Sequence, residues 1–265
     1  DPETLESLGL LIEDTRTNIV VYSELFTNNW WSKSGGGNPG TTVTANQEVA
    51  PDGTTTADYI DYTTATAASQ NIERSYDSTP AGKTYTASVW IKGTAGQTFN
   101  LTLDANGVNG SAQQFTLNGD WQRFSITREY PSGSPAAYFR FGVRSLAHPS
   151  TGTATQVYAW GAQIELGSFP TSYIPTSGAA VTRAVDNATI VGESFNSFYN
   201  QNEGSLFVES TPAYLASGIN HRACVITGDS DFTNSGAPGG INVDYTGTTL
   251  RTELFSGSPN TAQQG

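Results

Sequence analysis

Val157-Tyr-Ala-Trp160-Gly-Ala-Gln163-Ile-Glu165-Leu-Gly-Ser-Phe169-Pro-Thr-Ser-Tyr173-Ile-Pro-Thr176, running on to Val181-Thr-Arg183-Ala-Val-Asp186, decides the reading of this chain. Its opening half alternates with the two-residue period of a strand, and Pro170 and Pro175 then punctuate an exit from the sheet. Nothing in it has the spacing of a catalytic set. Trp160 alternates with Tyr158, Ala162 and Ile164, which predicts that all four point into one interior.

Working outward, strand patterns fall at 17–24, 41–50, 56–62, 70–76, 83–92, 97–103, 111–117, 121–130, 136–144 and 154–165, separated by turn signals such as Gly35-Gly-Gly-Asn-Pro-Gly40 and Asn118-Gly119. The fold class they predict is all-β, an antiparallel jelly-roll sandwich of two sheets. In 83–92, Tyr85, Ala87, Val89 and Ile91 share one face, while Thr84, Thr86, Ser88 and Trp90 share the other, as in a half-buried strand. Phe99 with Leu101 and Leu103, Phe124 with Ile126, and Phe139 with Phe141 and Val143 repeat the inward pattern. Asp1-Pro2-Glu3 reads as the opening of a short helix carrying Leu5 and Leu8. The domain plan is an arm over 1–16, a jelly roll over 17–190 and a further β-rich region over 191–265.

Composition sets limits. The 265 residues suffice for one or two domains, and 28 Gly and 12 Pro match many short strands joined by turns. With 24 acids against 12 bases the net charge is −12, which opposes binding to a nucleic-acid backbone or an anionic membrane. No run is apolar and long enough for a membrane-spanning helix. The single Cys224 excludes an intrachain disulfide and a thiolate metal cage. No methionine occurs and no leader precedes the first domain, so the chain reads as a piece of something longer. His148 and His221 lack the neighbours of a triad or metal site, and no pair of acids stands out as converging across a cleft. Asp104-Ala-Asn106-Gly107 reads as a hairpin turn, because Val108 occupies the next ligand position of a calcium loop.

Several blocks stand in a recognisable order: Gly9-Leu-Leu-Ile-Glu13, Arg16-Thr-Asn18-Ile-Val-Val-Tyr22-Ser-Glu24, Ala50-Pro-Asp-Gly53-Thr-Thr-Thr-Ala57-Asp58, Lys83-Thr-Tyr85-Thr-Ala-Ser-Val89-Trp-Ile91-Lys92, Trp121-Gln-Arg123-Phe124-Ser, and the stretch quoted first. Residues 8 to 190 so marked resemble a carbohydrate-binding-module-like jelly roll recurring in bacteriophage tail-fibre, tail-spike and other virion surface proteins. Phe195-Asn-Ser-Phe198-Tyr through Ser205-Leu206-Phe-Val-Glu209 resembles the opening of a concanavalin-like or laminin-G-like sandwich, only the first part of which is present. The resemblance implies a non-enzymatic virion component, a fibre, spike or decoration protein, packed with other virion proteins and with copies of itself, a trimer by analogy with phage fibres. The alternative of a different class is a carbohydrate-binding module of a larger cell-surface or polysaccharide-degrading protein.

For such a module Trp90, Tyr138, Arg140 and Arg144 are the candidate surface, provided their strands are neighbours in one sheet. Sugar rings stack on aromatic side chains, and Arg donates in a fixed fork to hydroxyls or a carboxylate. The competing reading packs Trp90 under a loop and pairs the arginines with acids or with an adjacent subunit. No cofactor is expected apart from calcium, which jelly-roll binding modules often use to clip their terminal strands. Glu24 and Glu165 are the carboxylates placed for it. Residues 191–265 are expected to be an incomplete domain, with a strand at Ser205 to Glu209 and order ending in the polar stretch Ser256 to Gly265.

Overall fold

The computed structural model describes residues 10–33, 41–63, 70–106, 108–144, 147–148, 150–200, 205–210, 220–227, 240–246, 249–255 and 262–264. The chain divides into Asp1–Ala188 and Thr189–Gly265.

In the first unit, β2 (Thr42–Glu48), β3 (Ala57–Asp61), β5 (Thr84–Gly93), β8 (Gln122–Glu129) and β10 (Gln156–Leu166) make a five-stranded sheet in the order β2-β3-β10-β5-β8. β4 (Gln70–Asp77), β6 (Thr98–Ala105), β7 (Val108–Thr116) and β9 (Ala137–Arg144) make a four-stranded sheet, β4-β9-β6-β7. Every pairing is antiparallel, and the chain repeatedly crosses from one sheet to the other, the connectivity of a jelly-roll sandwich. A ribbon of β1 (Arg16–Asn18) and β11 (Val181–Arg183) completes the unit. The proposed helix at Asp1 lies outside the described residues, and residues 10–15 are not helical.

The core follows from alternation. Tyr85, Ala87, Val89 and Ile91 meet Phe99, Leu101, Leu103, Phe139 and Phe141 between the sheets, all buried. Phe26 and Trp31 fill one end against Phe141, with centroid separations of 5.4 and 5.9 Å. Removing an aromatic ring from such packing typically costs about 3–5 kcal/mol.

The strand expected at 17–24 stops at Asn18. Beyond it the chain threads between β10 and the exit segment, bonding irregularly to both: Ile19 N to Ile164 O, Ser23 N to Thr176 O, and Ala162 N to Ser23 O. A second difference corrects the orientation of Trp160. The pairing of β10 with β5 shifts between Trp160 and Gln163, at Gly161, whose φ of +64° favours glycine. This bulge changes the phase of the alternation. Val157 and Ala159 point into the main core before it, Ala162 and Ile164 after it, while Trp160 packs on the outer side with Ala50 and Ala57.

Nor is β5 half-buried. Thr86 and Ser88 are 1% exposed, because residues 167–176 fold back as a roof over their side of the sheet. Thr86 Oγ1 donates to Gly167 O, and Arg123 bonds Thr171 O and Ser88 Oγ at 2.7 and 2.9 Å.

The second unit contains a single-turn helix, α1 (Gly192–Asn196), and an antiparallel sheet ordered β12 (Asn220–Thr227), β13 (Gly240–Thr246), β14 (Thr249–Phe255) and β15 (Ala262–Gln264). Residues 205–209, expected as a strand, are irregular, and Phe207 is 85% exposed there. The polar end, expected to lie past the ordered chain, supplies β15, which pairs with Glu253–Phe255.

Candidate functional site

The candidate surface is built on the four-stranded sheet. With Phe139, Phe141 and Val143 committed to the core, the pleat turns Tyr138, Arg140 and Arg144 to the outer face. The register sets Glu73 and Ser75 of β4 beside Arg140 and Tyr138, and Thr102 and Asp104 of β6 on their other side. Asn71 and Asn100 flank Gly142, and Ala112 lies opposite Thr102. Gly142 lets β4 come close: a Cβ there would lie 2.4 Å from Gln70 O.

Arg140 is the keystone. Its Nε donates to Asp104 Oδ2 at 2.6 Å, Nη2 reaches Asp104 Oδ1 at 3.4 Å, and Nη1 donates to Glu73. Its guanidinium lies 4.7 Å from the Tyr138 ring centroid. Burial works against the charge, but the hydrogen bonds and charge of Asp104, helped by Glu73, outweigh it and raise the pKa above the ordinary arginine value. Asp104, expected in a turn, is wholly buried in β6, and the turn proper falls at Asn106 with φ of 56°. The competing reading, in which the arginines pair with acids, therefore describes Arg140. The sequence offered no local signal for this triad, because its members lie on three strands.

The returning chain after β9 covers one end of the face. Asn100 Nδ2 donates to Val143 O and Ser150 O, and Gln114 Nε2 donates to Ser150 Oγ at 2.7 Å. Burial, and then the charge of Arg140, push the His148 imidazole down to about 4, so it is neutral at pH 7. Thr102 is wholly buried in the floor, and its Oγ1 has no hydrogen-bond partner among the described residues. Arg144, next to Val143 at this same end of β9, is exposed.

Trp90 does not join this constellation. It belongs to β5 in the other sheet, opposite Trp160 and Arg123 in register, so the condition that all four candidates share a sheet is not met. Glu24 and Glu165 do belong to the terminal clip. Glu165 is wholly buried and receives Gln163 Nε2, Thr171 N and Thr171 Oγ1, with Arg16 Nε at 3.7 Å. Glu24 receives the Tyr173 hydroxyl at 2.8 Å. The clip is thus made of protein donors, and Glu165 does not fit a calcium ligand. Among the described residues no three His, Cys, Asp or Glu side chains gather as a metal site.

Residues 20–151 match the family model of a carbohydrate binding domain. A module of that kind is thereby supported for the first unit. Among solved structures, a family 4 carbohydrate-binding module is 21% identical over 47% of this chain and 78% of its own, with a TM-score of 0.34. The enzymatically active domain of bacteriophage CBA120 tailspike protein 4 is 16% identical over 57% of this chain, with a TM-score of 0.41. The Clostridium thermocellum xylanase 10B module pair, complexed with xylohexaose, is 17% identical over 61%, with a TM-score of 0.40. The chain spans 21% of the tailspike domain and 30% of the xylanase pair. No curated protein matches.

Proposed function

We propose that the first unit is a non-catalytic carbohydrate-binding module that takes a polysaccharide on the outer face of β4-β9-β6-β7, as part of a larger cell-surface or polysaccharide-degrading protein. The observation that carries this reading is the match of residues 20–151 to a carbohydrate binding domain, over the strands that make that face. The face suits the task physically. Arg140 and Tyr138 form a wall that is fixed before any ligand arrives, so little side-chain entropy is lost on binding. Ser75 and Gln114 line the rims of the face. Glu73 and Asp104, which a glycosidase would need as acid and base, both bind Arg140. Together with Arg140 and Arg144 they leave the face without net charge, which favours an uncharged glycan.

Affinity electrophoresis of the full chain through gels containing xylan, mixed-linkage β-glucan or galactan tests the reading. At least one polysaccharide should retard the protein, and Tyr138→Ala should weaken that retardation by roughly tenfold, the loss of an aromatic contact with its rigid support. Equal retardation of native and variant chains would place the ligand elsewhere.

A second reading puts the module on a phage virion, displayed in several copies beside other virion proteins for attachment to host polysaccharide. The terminal blocks favour it: Arg16–Glu24 and Val157–Asp186, whose likeness is to virion surface proteins, form the ribbon, the clip and the roof. Light scattering on the intact chain tests the accompanying threefold association; a strict monomer at high concentration overturns it.

A further inference from the structure

The roof over the five-stranded sheet stops halfway, and the rows beyond it are aromatic. The pairs Ser88–Gln163 and Thr86–Glu165 lie under residues 167–176. Past the Gly161 bulge, Tyr59 and Tyr158 stand opposite each other on β3 and β10 with ring centroids 5.5 Å apart, and Tyr158 is level with Lys92 of β5. Extending the β5–β8 register by one pair from Ile91–Gln122 brings Trp121 level with Lys92. In the next row Trp160 faces Trp90, but that row is closed by protein: Trp160 is buried against Ala50 and Ala57, with Trp90 and Tyr173 packed on the same cluster. Tyr59, Tyr158, Trp90 and Trp121 are each partly exposed, unlike the rings of the core. The strip crosses four strands, about 14 Å at the usual strand spacing.

Polar groups stand within the strip and beside it, Lys92 lying between Tyr158 and Trp121. Gln156 Nε2 donates to Asp61 Oδ2 at 3.3 Å, the Lys92 ammonium sits 3.6 Å from Glu48, and the Trp121 indole is fixed by donation to Val49 O at 2.8 Å. A protein interface core would be depleted of a charge such as Lys92, and cross-strand pairing accounts for Tyr59 with Tyr158 but not for a third partly exposed ring, Trp121, in the same row. Rings with hydrogen-bonding groups beside them match the apolar faces and hydroxyl edges of a sugar chain.

We infer that the outer face of β3-β10-β5-β8 is a second saccharide platform, on the opposite side of the sandwich from the Arg140 face and independent of it. One module would then engage two glycan chains, or two stretches of one.

The test compares native chain, Tyr138→Ala, Tyr59→Ser/Tyr158→Ser and the combined triple variant, in the same polysaccharide gels and by tryptophan emission during xylohexaose titration. The second platform requires that the serine pair weaken retardation roughly fivefold while Tyr138→Ala leaves a residue of binding that the triple variant abolishes. It also requires an emission change in the Tyr138→Ala background that Trp121→Phe removes, a reading that does not depend on the serine variant folding. Loss confined to Tyr138→Ala, with the serine pair unaffected, overturns the second platform and leaves the proposed function standing. Loss confined to the serine pair does the reverse, and a native chain that no polysaccharide retards overturns both.

Discussion

The Asn18 carboxamide oxygen accepts the Ile164 amide at 3.1 Å, joining residues 146 positions apart. The same oxygen takes Val20 N at 3.1 Å, and Nδ2 donates to Ile174 O at 2.8 Å and Ala162 O at 3.2 Å. One wholly buried side chain thus satisfies backbone groups of the incoming chain, the last core strand and the exit segment. Asn18→Leu keeps the branched shape, adds bulk, and strands all of them. A loss of about 3 kcal/mol or more is expected, read as a lower urea midpoint with an unchanged slope.

Arg140→Met leaves Asp104 buried without its cation. The expected loss is about 3–5 kcal/mol. Combining it with Asp104→Asn should recover part of that, so the double-mutant cycle should show strong coupling between β9 and β6. Additive effects would mean that the two side chains do not sense each other.

His148 makes stability depend on pH in a defined window. Its folded value, about 4, lies below the ordinary 6.5, so the unfolded chain binds the proton first. Above 6.5 both states are neutral and the residue contributes no slope. Between 6.5 and about 4 stability falls as pH falls, and below 4 the contribution levels off. Melting curves of the native chain and His148→Gln should therefore diverge in slope only inside that interval.

Much of this architecture was legible beforehand. Strands from Thr42 to Leu166 follow the alternation of Val, Ile, Phe and Thr closely, because a two-sheet core enforces a period of two on every strand. The misplacement of Trp160 has a local cause: a bulge inserts a residue without leaving a reliable mark in a glycine-rich chain. The site was legible residue by residue and not as a set. Tyr138, Arg140 and Arg144 share a strand and were found together, whereas Glu73, Thr102 and Asp104 reach them only through strand pairing. Trp90 was grouped with them because pattern alone does not say which sheet a strand joins.

Gly161→Ala tests the bulge directly. A non-glycine residue at φ of +64° costs about 1–2 kcal/mol, and the new Cβ would sit 3.2 Å from Trp90 Cδ1 and 3.3 Å from Tyr173 Cε2. The expected result is a lower melting temperature with an altered near-ultraviolet signal from the displaced rings. An unchanged spectrum would mean that the outer cluster does not depend on the bulge.

The β1–β11 ribbon has a mechanical consequence. Arg16 pairs with Arg183 and Asn18 with Val181, while Glu13 N meets Asp186 and Asp186 N meets Glu13 O, so the chain enters and leaves the module side by side. Tension between those two strands loads their hydrogen bonds one after another, like a zip, and spares the sheets behind them. Under pulling, the Glu13–Arg183 ion pair and the ribbon should part at low force, lengthening the tether while the sandwich and anything bound to its faces stay intact until the Asn18 staple gives way.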